Sequence, residues 1–211
     1  MNIFKTTKDH KKYWQERKID WKTSYLDTWN HPHRAVLTYM LSQLQFFSLM
    51  EIGCGSGPNL AAILKSGLPQ KQLGGTDIND DAVQLAKKTF KGGVFFTCPA
   101  DDIMMTDKSA DVLLYDMCLI YVDMFGIDKH IKEMKRVARK YVVLCEFHHK
   151  SWWMRMWLKW TSGYNAYDWE KKLKKADFYD VIKYKLTPED WPGGNPQKTF
   201  GWIFIAKVPK K

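Results

Sequence analysis

The chain is short of cysteine, of long apolar runs, and of acidic residues relative to basic ones. Its four cysteines, Cys54, Cys98, Cys118 and Cys145, include no C-x-x-C pair, and each sits in or beside a segment that reads as a strand. That scatter argues against a disulfide framework, so the four are expected to be reduced and structural. No run approaches the roughly 18 apolar residues that span a bilayer. The start, Met1-Asn2-Ile3-Phe4-Lys5, lacks the apolar core of a signal peptide, which makes a cytoplasmic protein the expectation. There is no internal repeat and no low-complexity linker. With 211 residues and 45% hydrophobic content, the chain can bury one α/β core and is too short for two full domains.

The basic excess, 33 Lys and Arg against 23 Asp and Glu for a formal +10, invites a nucleic-acid or anionic-surface partner. Its distribution weakens that reading. Lysines gather at Lys5, Lys8, Lys11 and Lys12, on an apparent helix at Lys171, Lys172, Lys174 and Lys175, and at Lys210 and Lys211, where solvated faces explain them. Nucleic acid stays open as a partner and is not favoured.

The most informative stretch runs from Leu49 to Asn59. An apolar strand meets Glu51 and then Gly53, Gly55 and Gly57 at alternate positions. Glycines let such a turn bring a ligand against the main chain. The third glycine falls at Gly57 and is followed by Pro58, which departs from the G-x-G-x-x-G of dinucleotide sites. E-x-G-x-G-x-G after a strand resembles motif I of the class I methyltransferases, which bind S-adenosylmethionine and release S-adenosylhomocysteine. The resemblance implies a Rossmann-like seven-stranded sheet, mostly parallel with an antiparallel C-terminal strand, and helices on both faces.

The rest of the pattern is read against that layout. Residues 1–46 are polar and aromatic and are expected to form a helical lid, with Asn30 capping a helix at Pro32; residues 47–211 form the methyltransferase domain. A helix from Pro58 is expected to bury Leu60, Ala61, Ile63 and Leu64 and to stop at Gly67, and Asn79 to cap a second carrying Val83 and Ala86. Short apolar runs at Gln72–Thr76, Val94–Thr97, Asp111–Tyr115 and Tyr141–Cys145 alternate with helical spacing, as in a parallel sheet covered on both faces. Two β-like runs near the end, Val181–Leu186 and Thr199–Val208, read as a hairpin with a long loop.

Ligands of open α/β sheets lie beyond the carboxyl ends of the strands. The resemblance then assigns the loop Glu51, Gly53, Cys54, Gly55, Gly57 and Asn59 to the cofactor, with Glu51 at the methionine amino group. Asp77, ending the second strand beside Ile78, would accept from both ribose hydroxyls. Asp101 or Asp102, ahead of Ile103, would receive the adenine amino group. Tyr115 and Asp116 would face the methionine part, with Tyr121 toward the methyl group and Arg34 clamping the carboxylate.

A base is needed if the acceptor is a hydroxyl or a protonated amine, and His148 or His149, just after the fifth strand, are candidates. No further His or Cys lies at ligand spacing, so no metal is expected. The segment 150–167 is Trp-rich. Trp153, Trp157 and Trp160 share a helical face, as a lid packed on the core, an acceptor pocket or a membrane-surface contact would require. The leading expectation is methyl transfer to an O or N nucleophile of a small-molecule acceptor. RNA or protein methylation and a non-catalytic cofactor-binding module are the alternatives. Base methylation is disfavoured because no N/D-P-P-Y/F tetrad follows the fourth strand.

Overall fold

The computed structural model describes residues 6–68 and 72–209. In chain order its elements are α1 (Thr7–Glu16), α2 (Trp21–Ser24), α3 (Pro32–Ser42), β1 (Ser48–Ile52), α4 (Pro58–Lys65), β2 (Gln72–Asp77), α5 (Asp80–Thr89), β3 (Val94–Thr97) and β4 (Ala110–Asp116). A 3-10 turn at Leu119–Tyr121 leads to α6 (Ile127–Val137), β5 (Ala138–Phe147), α7 (Trp152–Ser162), α8 (Trp169–Lys175), β6 (Tyr179–Lys185), α9 (Gln197–Phe200) and β7 (Gly201–Lys207).

The seven strands form one sheet in the order β3-β2-β1-β4-β5-β7-β6. The first five pair in parallel, while β7 lies antiparallel between β5 and β6. Strand order reverses between β1 and β4, so the crevice for a ligand opens at the carboxyl ends of these two strands.

The sheet forms because its central strands are apolar on both faces. Leu49, Val112, Leu114, Val143 and Cys145 pack against Leu37 and Leu41 of α3, Leu60 and Ile63 of α4 and Val83 and Ala86 of α5. Their neighbours in sequence, Met50, Leu113, Tyr115, Val142 and Leu144, pack on the other side against Ile127, Ile131 and Met134 of α6 and Trp169 and Leu173 of α8. That is the period-two division of a doubly covered sheet. Among the described residues no helix is long and apolar enough to cross a membrane.

Three local expectations are corrected. The N-cap of α3 is His31, not Asn30, and it makes no side-chain capping bond. Pro32 opens the helix, where its missing N–H costs nothing. Leu64 is exposed because only Leu60, Ala61 and Ile63 of the α4 stripe reach the core. Helix α7 docks through Leu158, its buried residue, and Trp157, half exposed, stacks on Phe200 at 6.2 Å, while Trp153 and Trp160 face solvent. A lid packed on the core through its tryptophan face is therefore not what forms.

Candidate cofactor and acceptor cavity

The glycine loop is held in place by backbone bonds that any sequence could make and by contacts that only glycine permits. Gly53 and Cys54 donate to the Thr76 carbonyl at 2.7 and 2.9 Å, tying the loop to β2. Gly53 has φ +75°, and a Cβ there would stand 2.5 Å from Cys118 Sγ. Gly57, the N-cap of α4, has φ +88°, and its Cβ would meet Phe90 Cε2 at 2.4 Å. Both need the left-handed region and an empty Cβ position.

Around this loop stand three carboxylates. Asp77 accepts from Gly55 N–H and Asn79 N–H, both at 2.8 Å, which fixes its carboxyl plane. Burial pushes its pKa up, against the pull of those N–H groups. Glu51 is 2% exposed, and its Oε1 accepts from Asn59 Nδ2 at 2.6 Å. Burial raises its pKa to about 8, with the charge of Asp116 adding to the effect. The same Asn59 amide donates to Asp116 Oδ2 at 2.9 Å. His33 Nε2 lies 3.0 Å from that oxygen, and His33 Nδ1 lies 2.6 Å from His31 Nδ1. Burial would raise the Asp116 pKa, but the charge and hydrogen bond of His33, with Arg34 and Asn59, hold it below the ordinary range. Trp191 covers both imidazoles, its centroid 4.1 Å from that of His33.

The opposite wall comes from the N-terminal region. Thr7, His10, Lys11 and Trp14 turn one stripe of α1 to the cavity, at the i, i+3, i+4, i+7 spacing of a helix face. The helix is tethered at three points. Thr7 donates through N (2.9 Å) and Oγ1 to Asp123 Oδ2, Lys11 pairs with Asp101, and Asn79 Nδ2 donates to the carbonyls of Trp14 and Arg17 at 2.8 and 2.9 Å. Trp14 and Tyr121 meet edge to face at 5.2 Å, Trp21 and Tyr25 lie 5.1 Å apart, and Tyr164 stands 5.7 Å from Tyr121. The cavity volume is about 330 Å³, within the range of small-molecule sites. Burial pushes the Tyr121 phenol up, so it stays protonated at neutral pH.

Of the residues expected at the site, Glu51, Gly53, Cys54, Gly55, Asn59, Asp77, Ile78, Asp116, Arg34 and Tyr121 line this cavity. Gly57 sits just behind it as the α4 cap. Arg34 also donates through Nη1 to the Thr28 carbonyl at 2.7 Å. The others stand elsewhere. Asp101 is turned to Lys11 and Lys129, Asp102 is exposed, and Ile103 and Tyr115 are buried in the α6-side core. His148 is buried, and its Nδ1 accepts from Trp169 N–H at 3.1 Å. His149 Nδ1 accepts from Ser151 N–H at 3.0 Å. Neither imidazole is in the cavity wall. Of His31-Pro32-His33-Arg34, sequence reasoning gave a role to Arg34 alone, and it missed the α1 stripe, His130 and the Cys98 and Ala100 that flank Pro99 in the wall. Of these only the α1 stripe had a legible signal, its helical spacing.

The sequence model of a methyltransferase-domain family matches residues 49–141, from β1 into β5. Among solved structures, the magnesium protoporphyrin IX methyltransferase of Synechocystis with bound S-adenosylmethionine is 13% identical, with a TM-score of 0.65 over 99% of this chain and 100% of that one. A S-adenosylmethionine-dependent methyltransferase from Methanosarcina mazei is 20% identical, with a TM-score of 0.61 over 82% and 98%. A chain of the complex between the Haloferax volcanii Trm112 methyltransferase activator and its methyltransferase is 15% identical, with a TM-score of 0.62 over 86% and 90%. No curated protein sequence matches the chain. Residues 49–141, which include the glycine loop, match a methyltransferase domain, and the sheet has the fold of the class I S-adenosylmethionine-dependent methyltransferases. It is an enzyme whose cofactor is S-adenosylmethionine. The cavity residues fit that group: Glu51 Oε2 and Asn59 Oδ1 are buried acceptors with no protein partner, as an incoming ammonium requires.

Proposed function

We propose that this enzyme transfers the methyl group of S-adenosylmethionine to an O or N nucleophile of a small-molecule acceptor. The observation that carries the reading is cover on one side: α1, anchored at Asp123, Asp101 and Asn79, forms a wall of the cavity. That wall narrows access to the cavity, which favours a small acceptor over a polynucleotide or a folded protein. Residues 1–46 then divide in role. Helix α1 acts as the lid, and α3 belongs to the core through Leu37 and Leu41.

In this reading Asp77 accepts from the ribose hydroxyls, Glu51 and Asn59 take the methionine ammonium, and Arg34 faces the carboxylate. Cys98, Pro99 and Ala100 give an adenine wall, and Asp101 serves by holding α1 through Lys11. Tyr121, with Tyr25 and Tyr164, borders the acceptor end. The bound cofactor supplies an electrophilic methyl on a sulfonium. The protein's part is to hold the nucleophile in line and dry, and proximity of that kind contributes several kcal/mol. A neutral amine needs no base. The free, unpaired state of all four cysteines fits a cytoplasmic setting.

Calorimetric titration of S-adenosylmethionine and S-adenosylhomocysteine into wild type and Asp77→Ala tests the cofactor assignment, with binding expected in the first and lost in the second. Radiolabelled methyl transfer is then followed into pooled amines and phenols, bulk RNA and bulk protein. Label entering RNA or protein and no small acceptor would overturn the acceptor class.

A further inference from the structure

Helix α7 has no part in the cavity, yet it carries the most unusual surface of the molecule. Trp153 is 75% and Trp160 72% exposed, and Trp152, Met156 and Trp157 are exposed beside them. Trp153, Trp157 and Trp160 stand at i, i+4 and i+7 and share one face, from which Trp153 and Trp160 project while Trp157 stacks on Phe200. A second apolar projection lies at the end of this helix: Phe125, 90% exposed, with Met124, in the loop between the Leu119–Tyr121 turn and α6. Contacts place the two together. Asn165 N–H donates to the Ile120 carbonyl at 2.8 Å, Tyr167 OH donates to the Val122 carbonyl, and the Lys159 ammonium feels the Asp123 carboxylate.

The charge carried by α7 itself is basic, with Asp123 and Glu170 the acids that face it from neighbouring segments. From His148 to Tyr164 the chain has Lys150, Arg155 and Lys159 and no Asp or Glu. Lys150 pairs with Glu170 at 3.3 Å. Arg155 donates to the carbonyls of His149 and Lys150 at 2.9 and 2.8 Å, and Lys159 donates to that of Gly163 at 3.1 Å while also feeling Asp123, so the hydrogen bonds of both cations beside the indoles go to neutral carbonyls. A folded protein partner would have to desolvate these cations against its own acids. A bilayer surface instead takes indole rings at headgroup depth, and anionic lipid attracts the cations.

We propose that α7, with Met124 and Phe125, seats this protein on an anionic lipid surface. The proposal goes beyond methyl transfer and does not depend on it. It gives the cavity an orientation. Tyr164, which follows α7, and Tyr121, which precedes the Phe125 loop, both line the cavity, and α1 begins on the same edge through the Thr7 bonds to Asp123. The cavity's aromatic end is therefore turned to the membrane side.

The test is co-sedimentation of the full chain with phosphatidylcholine vesicles, with and without phosphatidylserine, at low and high salt. Wild type is expected to pellet with the phosphatidylserine vesicles and to be released as salt rises. Trp153→Ala/Trp160→Ala is expected to lower the partition coefficient about tenfold or more. Both residues are solvent-facing, and an unchanged melting temperature would show the variant folded. Wild type left in the supernatant with both vesicle types overturns the proposal. So does binding that the double variant retains in full, which would assign it to lysines elsewhere. Loss of a solution dimer in the double variant without vesicle binding would assign the face to a second copy and likewise overturn it.

Discussion

Replacing Glu51 by glutamine is expected to make the cofactor-free protein more stable while weakening its hold on S-adenosylmethionine. The Glu51 carboxyl is raised from 4.5 to about 8 by burial, to which Asp116 adds, and the Asn59 bond and Arg34 do not offset this. In the unfolded chain it titrates normally, so between those two values the native state holds a proton that the unfolded state does not. Stability is thus lost as pH rises above 4.5, and the loss is complete once pH passes about 8. At about 1.4 kcal/mol per unit, the group costs roughly 3 kcal/mol at pH 7 and about 5 kcal/mol at pH 9. Glutamine keeps an oxygen for Asn59 Nδ2 and has no proton to take up, so it removes that cost. Glu146, also raised to about 8 by burial, acts equally in both proteins and cancels in the difference. For a chain of this size, about 2–4 °C per kcal/mol gives a gain of roughly 6–12 °C at pH 7. Thermal unfolding of the cofactor-free proteins from pH 5 to pH 9 measures it. The gap should widen with pH and level off above 8, while added cofactor should raise the wild-type midpoint more than that of the variant. A variant that melts at or below wild type throughout, or a gap that does not move with pH, would refute the reasoning.

Gly57→Ala is expected to cost about 3 kcal/mol or more, from its left-handed φ and the approach to Phe90, whereas Gly67→Ala, at φ +74° with nothing within 4 Å, costs only about 1 kcal/mol; equal losses in urea unfolding would remove the Phe90 contribution. His148→Ala should destabilise by about 1–3 kcal/mol, because Trp169 N–H loses its acceptor, and should leave turnover per folded molecule unchanged. A collapse of turnover at unchanged stability would return His148 to the chemistry. Asp123→Ala removes both acceptor contacts of Thr7, so the α1 amides should exchange faster with deuterium and cofactor affinity should fall about tenfold; unchanged α1 exchange would show that the Lys11 and Asn79 tethers suffice.

The sheet was legible because its central strands are apolar without a break: Val112 to Tyr115 can only be buried on both faces, and such strands pair in parallel. Gly53, Gly57 and Asp77 were legible because each closes a strand-to-helix turn whose geometry is local. What escaped was long-range. Asp116 meets His33 across 83 positions and Lys11 meets Asp101 across 90, so nothing near Asp101 announces that its charge is engaged. His33 lies in the first turn of α3, where a polar residue normally faces water, and its burial is decided by Asp116 and Trp191. In α7 the period put three indoles on one face correctly, but periodicity does not say which face meets the core; Leu158, on the other side, decided it.

The charges around the cavity make sense only as one half of a pair. Glu51, Asp77 and Asp116 converge on a small, covered space, and Lys11, the lining lysine, is paired with Asp101 outside the wall. Of the three, Asp116 alone has an imidazole against it, and Glu51 stays protonated near neutral pH because burial outweighs the Asn59 bond and the charge of Arg34. Buried acids left in that state are a standing cost to the fold. A ligand carrying an ammonium and a sulfonium supplies the missing positive charge, and methyl transfer removes the sulfonium half of it. In the proposed assignment the acid cluster would therefore favour the charged cofactor over its thioether product, which lacks the sulfonium. The same arrangement that weakens the empty protein helps to empty it after each turnover.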